Sequence, residues 1–202
     1  SASNDPTENR YYRLYKEIYY RWGSEPMDST EKKLKVYLKE FPENAGAQMM
    51  LGNIYCKKGE FDSSMAQYHK AIALQPGQGV FYSAAAVVFN WQNQLDSSEK
   101  YLRQAIELRD SSPYTFLSMA MLNLKKNDTA QCLAFADLAF EKGKSLPAVC
   151  SGLSLVYNYY NKKEASQQFF EQAVSLGLKD TAAFKQVLKG ELKSEDYYRK
   201  YY

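Results

Sequence analysis

The chain has 202 residues, of which 45% are hydrophobic and 24% charged, and its formal net charge is +3. This is enough apolar material for a folded core, in one long domain or two short ones. So small a net charge gives no reason to expect nucleic acid or an anionic membrane as a partner. The longest purely apolar run, residues 84–89, is far shorter than the roughly 20 residues that a membrane helix needs, and no transmembrane segment is predicted.

The amino-terminal residues are polar, and residues 1–10 are predicted to form a disordered leader. The sequence begins at Ser1 without a methionine, so we expect that a segment was removed, either an expression tag or a cleaved leader. A cleaved leader would place the chain in the periplasm or tether it to a membrane. Without one, the cytoplasm is the expected compartment.

Helical periodicity begins after the leader. Apolar and aromatic residues follow a helical spacing from Tyr11 to Trp22, and Gly23 and Pro26 interrupt the pattern. A second helix is predicted from about Ser29 to Pro42. Residues 11–44 are therefore predicted to form one helix pair.

The next stretch, residues 45–78, sets a period of 34 residues for the rest of the chain. Its second helix carries Ala71, and alanine returns at three further steps of 34 residues, at Ala105, Ala139 and Ala173. A small residue of the first helix recurs in the same way, at Gly52, Ala86, Ala120 and Ser154. The period predicts units at 45–78, 79–112, 113–146 and 147–180, followed by a capping helix at 181–193 and a Tyr-rich tail at 194–202.

These columns resemble the tetratricopeptide repeat (TPR), whose 34-residue signature places Leu-Gly and an aromatic residue in one helix and an alanine and a proline in the next. The resemblance covers residues 11–193 and indicates a bacterial protein. It implies an all-α fold, a right-handed superhelix (α-solenoid) of about five TPR-like helix pairs plus a C-terminal capping helix. The first unit is divergent. The fourth, with Asn123 and Lys142 at motif positions, is expected to be the weakest joint.

No arrangement of residues indicates catalysis. The single histidine, His69, is predicted to be a surface residue. The cysteines Cys56, Cys132 and Cys150 lack metal-ligand spacing and are expected to be small buried hydrophobic residues. No phosphate-binding, dinucleotide or metal motif is present, and acidic residues such as Asp128 stand where helices begin. The sequence predicts no enzyme, no metal site and no cofactor.

In TPR proteins the first helix of each unit lines the concave face. Carrying those positions over predicts a partner-binding groove that is mainly aromatic and apolar, in which Lys57 and Lys125 are almost the only charges. Its predicted residues are Tyr12, Tyr15, Tyr19, Trp22, Met49, Asn53, Lys57, Val87, Asn90, Trp91, Tyr114, Leu117, Met121, Leu155, Asn158 and Tyr159.

Such a lining predicts a scaffold that binds another protein or peptide through an apolar or amphipathic segment or helix. The open alternative is a groove filled by the Tyr-rich tail or the first helix, or used for homodimerisation, in a structural component of a cell-envelope complex. A groove for the acidic tails of heat-shock chaperones is not expected. The five positions of that carboxylate clamp hold Met49, Asn53, Ala84, Tyr114 and Ser118, and only Asn53 fits.

Overall fold

The structure is a computed structural model, and it describes residues 13–18, 20, 26–194 and 196–197. Every described residue in regular secondary structure is helical, which confirms the all-α prediction. The helices are α1 (residues 13–18), α2 (Met27–Glu40), α3 (Ala45–Lys58), α4 (Phe61–Leu74), α5 (Gly79–Trp91), α6 (Leu95–Glu107), α7 (Pro113–Lys125), α8 (Thr129–Gly143), α9 (Pro147–Tyr159), α10 (Lys163–Ser175) and α11 (Thr181–Leu188).

The chain divides into two compact units, Ser1–Gly77 and Gln78–Tyr202. The first unit contains α1 to α4 and the second contains α5 to α11. Consecutive helices pack in pairs, α3 on α4 in the first unit and α5 on α6, α7 on α8 and α9 on α10 in the second. Each of these pairs lies inside one of the four units predicted from the 34-residue period.

The turn within each pair is built on a left-handed backbone position. Gly59, Asn93, Asn127 and Asn161 have φ angles of 78°, 59°, 57° and 55°. Glycine and asparagine tolerate this conformation best, and it lets the chain reverse directly after the helix. These residues are 34 positions apart, so they form a further column of the repeat, which the sequence analysis did not use.

The small column is where the two helices of a pair approach most closely. A Cβ atom added to Gly52 would lie 2.7 Å from a ring carbon of Tyr68, which is 2% exposed. Ser64 Oγ on α4 donates a hydrogen bond to the Gly52 carbonyl at 2.8 Å. Ser98 makes the corresponding bond to the Ala86 carbonyl at 3.0 Å. Small side chains and serine hydroxyls therefore connect the two helices of a pair.

In the first unit, α1 and α2 share a core with α3. Ile18, Leu34 and Ile54 are 2%, 0% and 1% exposed, and the rings of Tyr15 and Tyr37 stack with centroids 5.1 Å apart. α2 begins at Met27, two residues before the predicted start. An ion-paired group on the surface links α2 to the end of α3.

That group has a counterpart in the second unit. Lys58 Nζ lies 2.5 Å from carboxylate oxygens of both Asp28 and Glu31. Two 34-residue periods further on, Lys126 pairs with Glu99. Because exposed ion pairs contribute little each, these contacts indicate a two-repeat pattern in the sequence more than a source of stability.

The end of the second unit is closed by an aromatic cluster. Tyr197 is 1% exposed, its ring centroid lies 5.1 Å from that of Phe184, and its hydroxyl donates to the Lys179 carbonyl. α11 ends at Leu188 rather than continuing towards residue 193, because Gly190 takes a left-handed conformation with φ 76°. The part of the predicted tail at Tyr197 therefore packs on the final helix.

The two departures from the motif in the fourth unit have different environments. Asn123 is buried, and its Nδ2 donates to the Met119 carbonyl at 2.8 Å, one turn earlier in α7. Lys142 is exposed on α8. A polar residue therefore takes the place of an aromatic ring inside the packing. The weakness of this joint stays a prediction.

Candidate functional site

The predicted groove residues of the second unit lie on its three first helices, α5, α7 and α9. Adjacent members of this set pack directly, α5 on α7 and α7 on α9. We call these residues the α5–α7–α9 surface: Val87, Asn90, Trp91, Tyr114, Leu117, Met121, Leu155, Asn158 and Tyr159.

Gly152 allows α7 and α9 to come close together. A Cβ atom added to it would lie 2.7 Å from both δ carbons of Leu117. Leu117 and Met121 also pack against the buried cluster that contains Phe116 and Leu153. Both remain half-buried, so they belong to the inter-helix packing and to the surface at the same time.

Two tyrosines are the most exposed members of the surface. Tyr114 is 50% exposed and Tyr159 is 57% exposed. Desolvation nevertheless raises the pKa of Tyr114 above its ordinary value. A side chain that is exposed, and whose hydroxyl is still surrounded by protein, is typical of a recess rather than of a convex surface. Val87, Trp91 and Leu155 contribute further half-buried apolar area.

Lys125 brings a positive charge to the end of α7. Its Nζ donates to the backbone carbonyl of Asn90, at the end of α5, at 2.8 Å. Asn90 is 8% exposed, and within the described residues its Oδ1 is buried without a hydrogen-bond partner. The ammonium group is therefore positioned beside α5 by the backbone.

The end of α9 is positioned in a similar way. The Tyr159 hydroxyl donates to Asn127 Oδ1, in the turn after α7, at 2.9 Å. The neighbouring Asn158 donates from Nδ2 to the Leu188 carbonyl at the end of α11, at 2.8 Å. Hydrogen bonds to neighbouring elements thus hold the last two residues of this helix.

The groove residues predicted in the first unit have separate surroundings. Tyr15 packs on Tyr37, and Asn53 Oδ1 accepts a hydrogen bond from the Tyr68 hydroxyl at 2.7 Å. Met49 and Lys57 are half-buried on α3. Three further predicted residues lie outside the described part of the chain: Tyr12, Tyr19 and Trp22.

The candidates for chemistry are dispersed. Cys56, Cys132 and Cys150 are unpaired and buried, as predicted, and burial raises the pKa of the Cys132 and Cys150 thiols. His69 is exposed, also as predicted. Within the described ranges, no three His, Cys, Asp or Glu side chains come together as metal ligands would.

Asp128 acts as a helix cap, as its position at a helix start suggests. Its side chain accepts a hydrogen bond from the Gln131 amide at 3.0 Å, at the beginning of α8. Across residues 13–194, apart from the few positions left undescribed, no helix combines the length and apolar character that crossing a bilayer requires.

Comparison with known proteins supports the interpretation of the repeat. A family model for the tetratricopeptide repeat matches residues 45–78. Together with the packed helix pairs, this makes the chain a TPR protein with the solenoid fold of that class. Repeats of this family build scaffolds for protein–protein interaction and are generally not enzymes. No curated protein matches the chain.

Solved structures share the fold at low sequence identity. TTC0263, a thermophilic TPR protein of Thermus thermophilus, is 13% identical, with a TM-score of 0.77 over 90% of this chain and 98% of its own. PilW, a type IV pilus biogenesis factor, is 12% identical, with a TM-score of 0.69 over 94% and 90%. YrrB, a TPR protein with an unusual peptide-binding site, is 14% identical, with a TM-score of 0.51 over 86% and 90%.

Proposed function

We propose that this protein is a non-enzymatic scaffold that docks an apolar or amphipathic peptide or helix on its α5–α7–α9 surface. The observation that carries the proposal is the exposure of Tyr114 and Tyr159 beside the half-buried Trp91. Aromatic side chains are enriched in protein interfaces because they bury much area at little cost in conformational entropy. The peptide-binding site of YrrB, which shares the fold, supports the same class of ligand.

The chemistry of the surface favours an amphipathic partner over a purely polar one. Val87, Leu117, Met121 and Leu155 offer apolar area, whereas Lys125 introduces a single positive charge at one end of α7. A partner with one apolar face would cover the former and leave its polar face in solvent. Full burial of about 300 Å² of apolar area would contribute roughly 7 kcal/mol before the entropic costs of association.

The test uses matched double variants. Peptides selected from a displayed amphipathic library would be measured by fluorescence anisotropy against wild type and against Trp91→Ala/Tyr159→Ala. We expect that this variant weakens binding by about a hundredfold or more, with unchanged helical content. Leu138→Ala/Val174→Ala is the control, since these residues are 37% and 41% exposed on second helices. Equal affinity of both variants would refute the docking site.

The alternative use of this surface is as an interface between two copies of the chain, in a component of a cell-envelope assembly. The similarity of the fold to that of PilW supports such a setting. Light scattering on the purified protein distinguishes the two proposals. A monomer supports peptide docking, whereas a dimer that Trp91→Ala/Tyr159→Ala dissociates supports the interface. Self-occupation by the tail is less favoured, because Tyr197 is buried against Phe184.

A further inference from the structure

The last residues of α5, α7 and α9 form a row of alternating chemistry. These residues are Trp91, Lys125 and Tyr159, and each is 34 positions after the previous one. We call this row the ladder. Asparagine precedes both aromatic residues, at Asn90 and Asn158, whereas leucine precedes the lysine. The ladder therefore presents an aromatic group, a cation and a second aromatic group in consecutive repeats.

Backbone contacts hold the ladder in this order. Lys125 donates to the carbonyl of Asn90, the residue next to Trp91, and Tyr159 donates to Asn127, two residues after Lys125. Each member is thus tied to the end of the preceding first helix. The next lysine, Lys126, is directed elsewhere and pairs with Glu99 on α6.

The spacing of the ladder matches an extended chain. Directly packed helices have axes about 8–10 Å apart, and α5, α7 and α9 pack directly in sequence. Three residues of a β-strand span about 10 Å, and one three-residue turn of polyproline II spans about 9.3 Å. Every third side chain of an extended segment would therefore meet the next member of the ladder.

The asparagine beside Trp91 also favours an extended segment over a helical one. An asparagine amide can both donate to and accept from a peptide backbone. Asn90 Oδ1 is buried and has no hydrogen-bond partner among the described residues. Rotation of this side chain towards a docked segment would give that oxygen a backbone N–H, which an extended segment offers and a helix interior has already used.

We propose that the ladder binds an extended, polyproline-II-like segment that carries an apolar residue, preferably proline, three positions before and three positions after an acidic residue. The apolar residues stack on Trp91 and Tyr159, and the carboxylate pairs with Lys125. This inference rests on the proposed peptide docking and specifies its ligand. The charge complementarity at Lys125 sets the register of the segment.

The first test is a charge exchange. The probe is a fluorescein-labelled nine-residue peptide with proline at its second and eighth positions, glutamate at its fifth, and alanine or glutamine elsewhere. Lys125→Glu is expected to weaken its binding about tenfold, and a peptide with lysine in place of the glutamate is expected to regain affinity for that variant. Lys142→Glu, an equal charge change at an exposed position of α8, is the control. Equal weakening by both variants would overturn the pairing.

The second test concerns spacing and conformation. Inserting one residue on each side of the glutamate should weaken binding about tenfold, since the apolar groups no longer coincide with the aromatic rings. A helix-forming peptide with the same groups seven residues apart is the comparison. If it binds more tightly and depends on Trp91, the extended ladder is wrong and peptide docking stands. If neither peptide binds and no library peptide depends on Trp91, both proposals are refuted.

Discussion

The close approach of Gly52 to Tyr68 leads to a prediction about coupled substitutions. In the next repeat the equivalent residues are Ala86 and Leu102, which pack in one buried cluster and are both 0% exposed. A larger residue in the small column thus accompanies a smaller residue opposite. We predict that Gly52→Ala and Tyr68→Leu each destabilise the protein, and that the double variant is more stable than the sum of the two effects implies.

The structure sets the expected magnitudes. The added Cβ would lie 2.7 and 2.8 Å from two ring carbons of Tyr68, about 1 Å closer than ordinary contact. Tyr68 has little freedom to move, because it is 2% exposed and its hydroxyl bonds to Asn53. Overpacking costs about 1–3 kcal/mol, and the better helix propensity of alanine offsets up to about 1 kcal/mol. Gly52→Ala should therefore destabilise by about 1 kcal/mol.

Tyr68→Leu removes the hydroxyl bond and part of the ring volume. The lost hydrogen bond costs about 1 kcal/mol and the unfilled volume about 1–2 kcal/mol. In the double variant the alanine methyl enters the space that the ring leaves, as Ala86 lies in one cluster with Leu102. The coupling energy should then be about 1 kcal/mol in the stabilising direction.

The assay is urea unfolding of the four proteins, followed by far-UV circular dichroism and analysed as a double-mutant cycle. Because repeat proteins can lose two-state behaviour, the transition slope must stay constant across the cycle. A Gly52→Ala variant at least as stable as wild type would contradict the reasoning. So would two single effects that add within about 0.3 kcal/mol.

Three further predictions concern charges, caps and thiols. A hydrogen bond from Lys126 lowers the pKa of the Glu99 carboxyl, so its stabilisation is present above about pH 4.5 and is lost as pH falls below it. Acid titrations should show less loss in Glu99→Gln than in wild type. Asp128→Ala should lower the free energy of unfolding by about 1 kcal/mol through loss of the α8 cap, measured in urea. The buried thiols of Cys132 and Cys150 should react with a thiol reagent only as the protein unfolds, and rapid reaction of the folded protein would contradict their burial.

Much of the fold could be predicted from the sequence because its determinants are local and recur. The alanine column at Ala71 and Ala105 and the small column at Gly52 and Ala86 indicated two packed helices per 34 residues, and the structure contains them. The left-handed turn at Asn93 was equally readable, since glycine or asparagine recurs there in every repeat from residue 45 onwards. A single position carries little information, but a recurring column does.

The candidate site was less predictable. The repeat pattern selected Trp91 and Tyr159 by position alone, whereas their exposure depends on how α5, α7 and α9 pack. Lys125 appeared only as an isolated charge in the sequence. Its hydrogen bond to Asn90 spans 35 residues and exists only after two repeats have stacked.

The sequence by itself determined the helices, their turns and the 34-residue period, because these follow from residues within one or two turns of each other. Tertiary structure alone decided the burial of Tyr197 against Phe184, the end of α11 at Leu188 and the contacts of the ladder. Each of these depends on packing or hydrogen bonding between separate elements. Side-chain environment at the ends of helices is a property of the stacked repeats, and no local pattern encodes it.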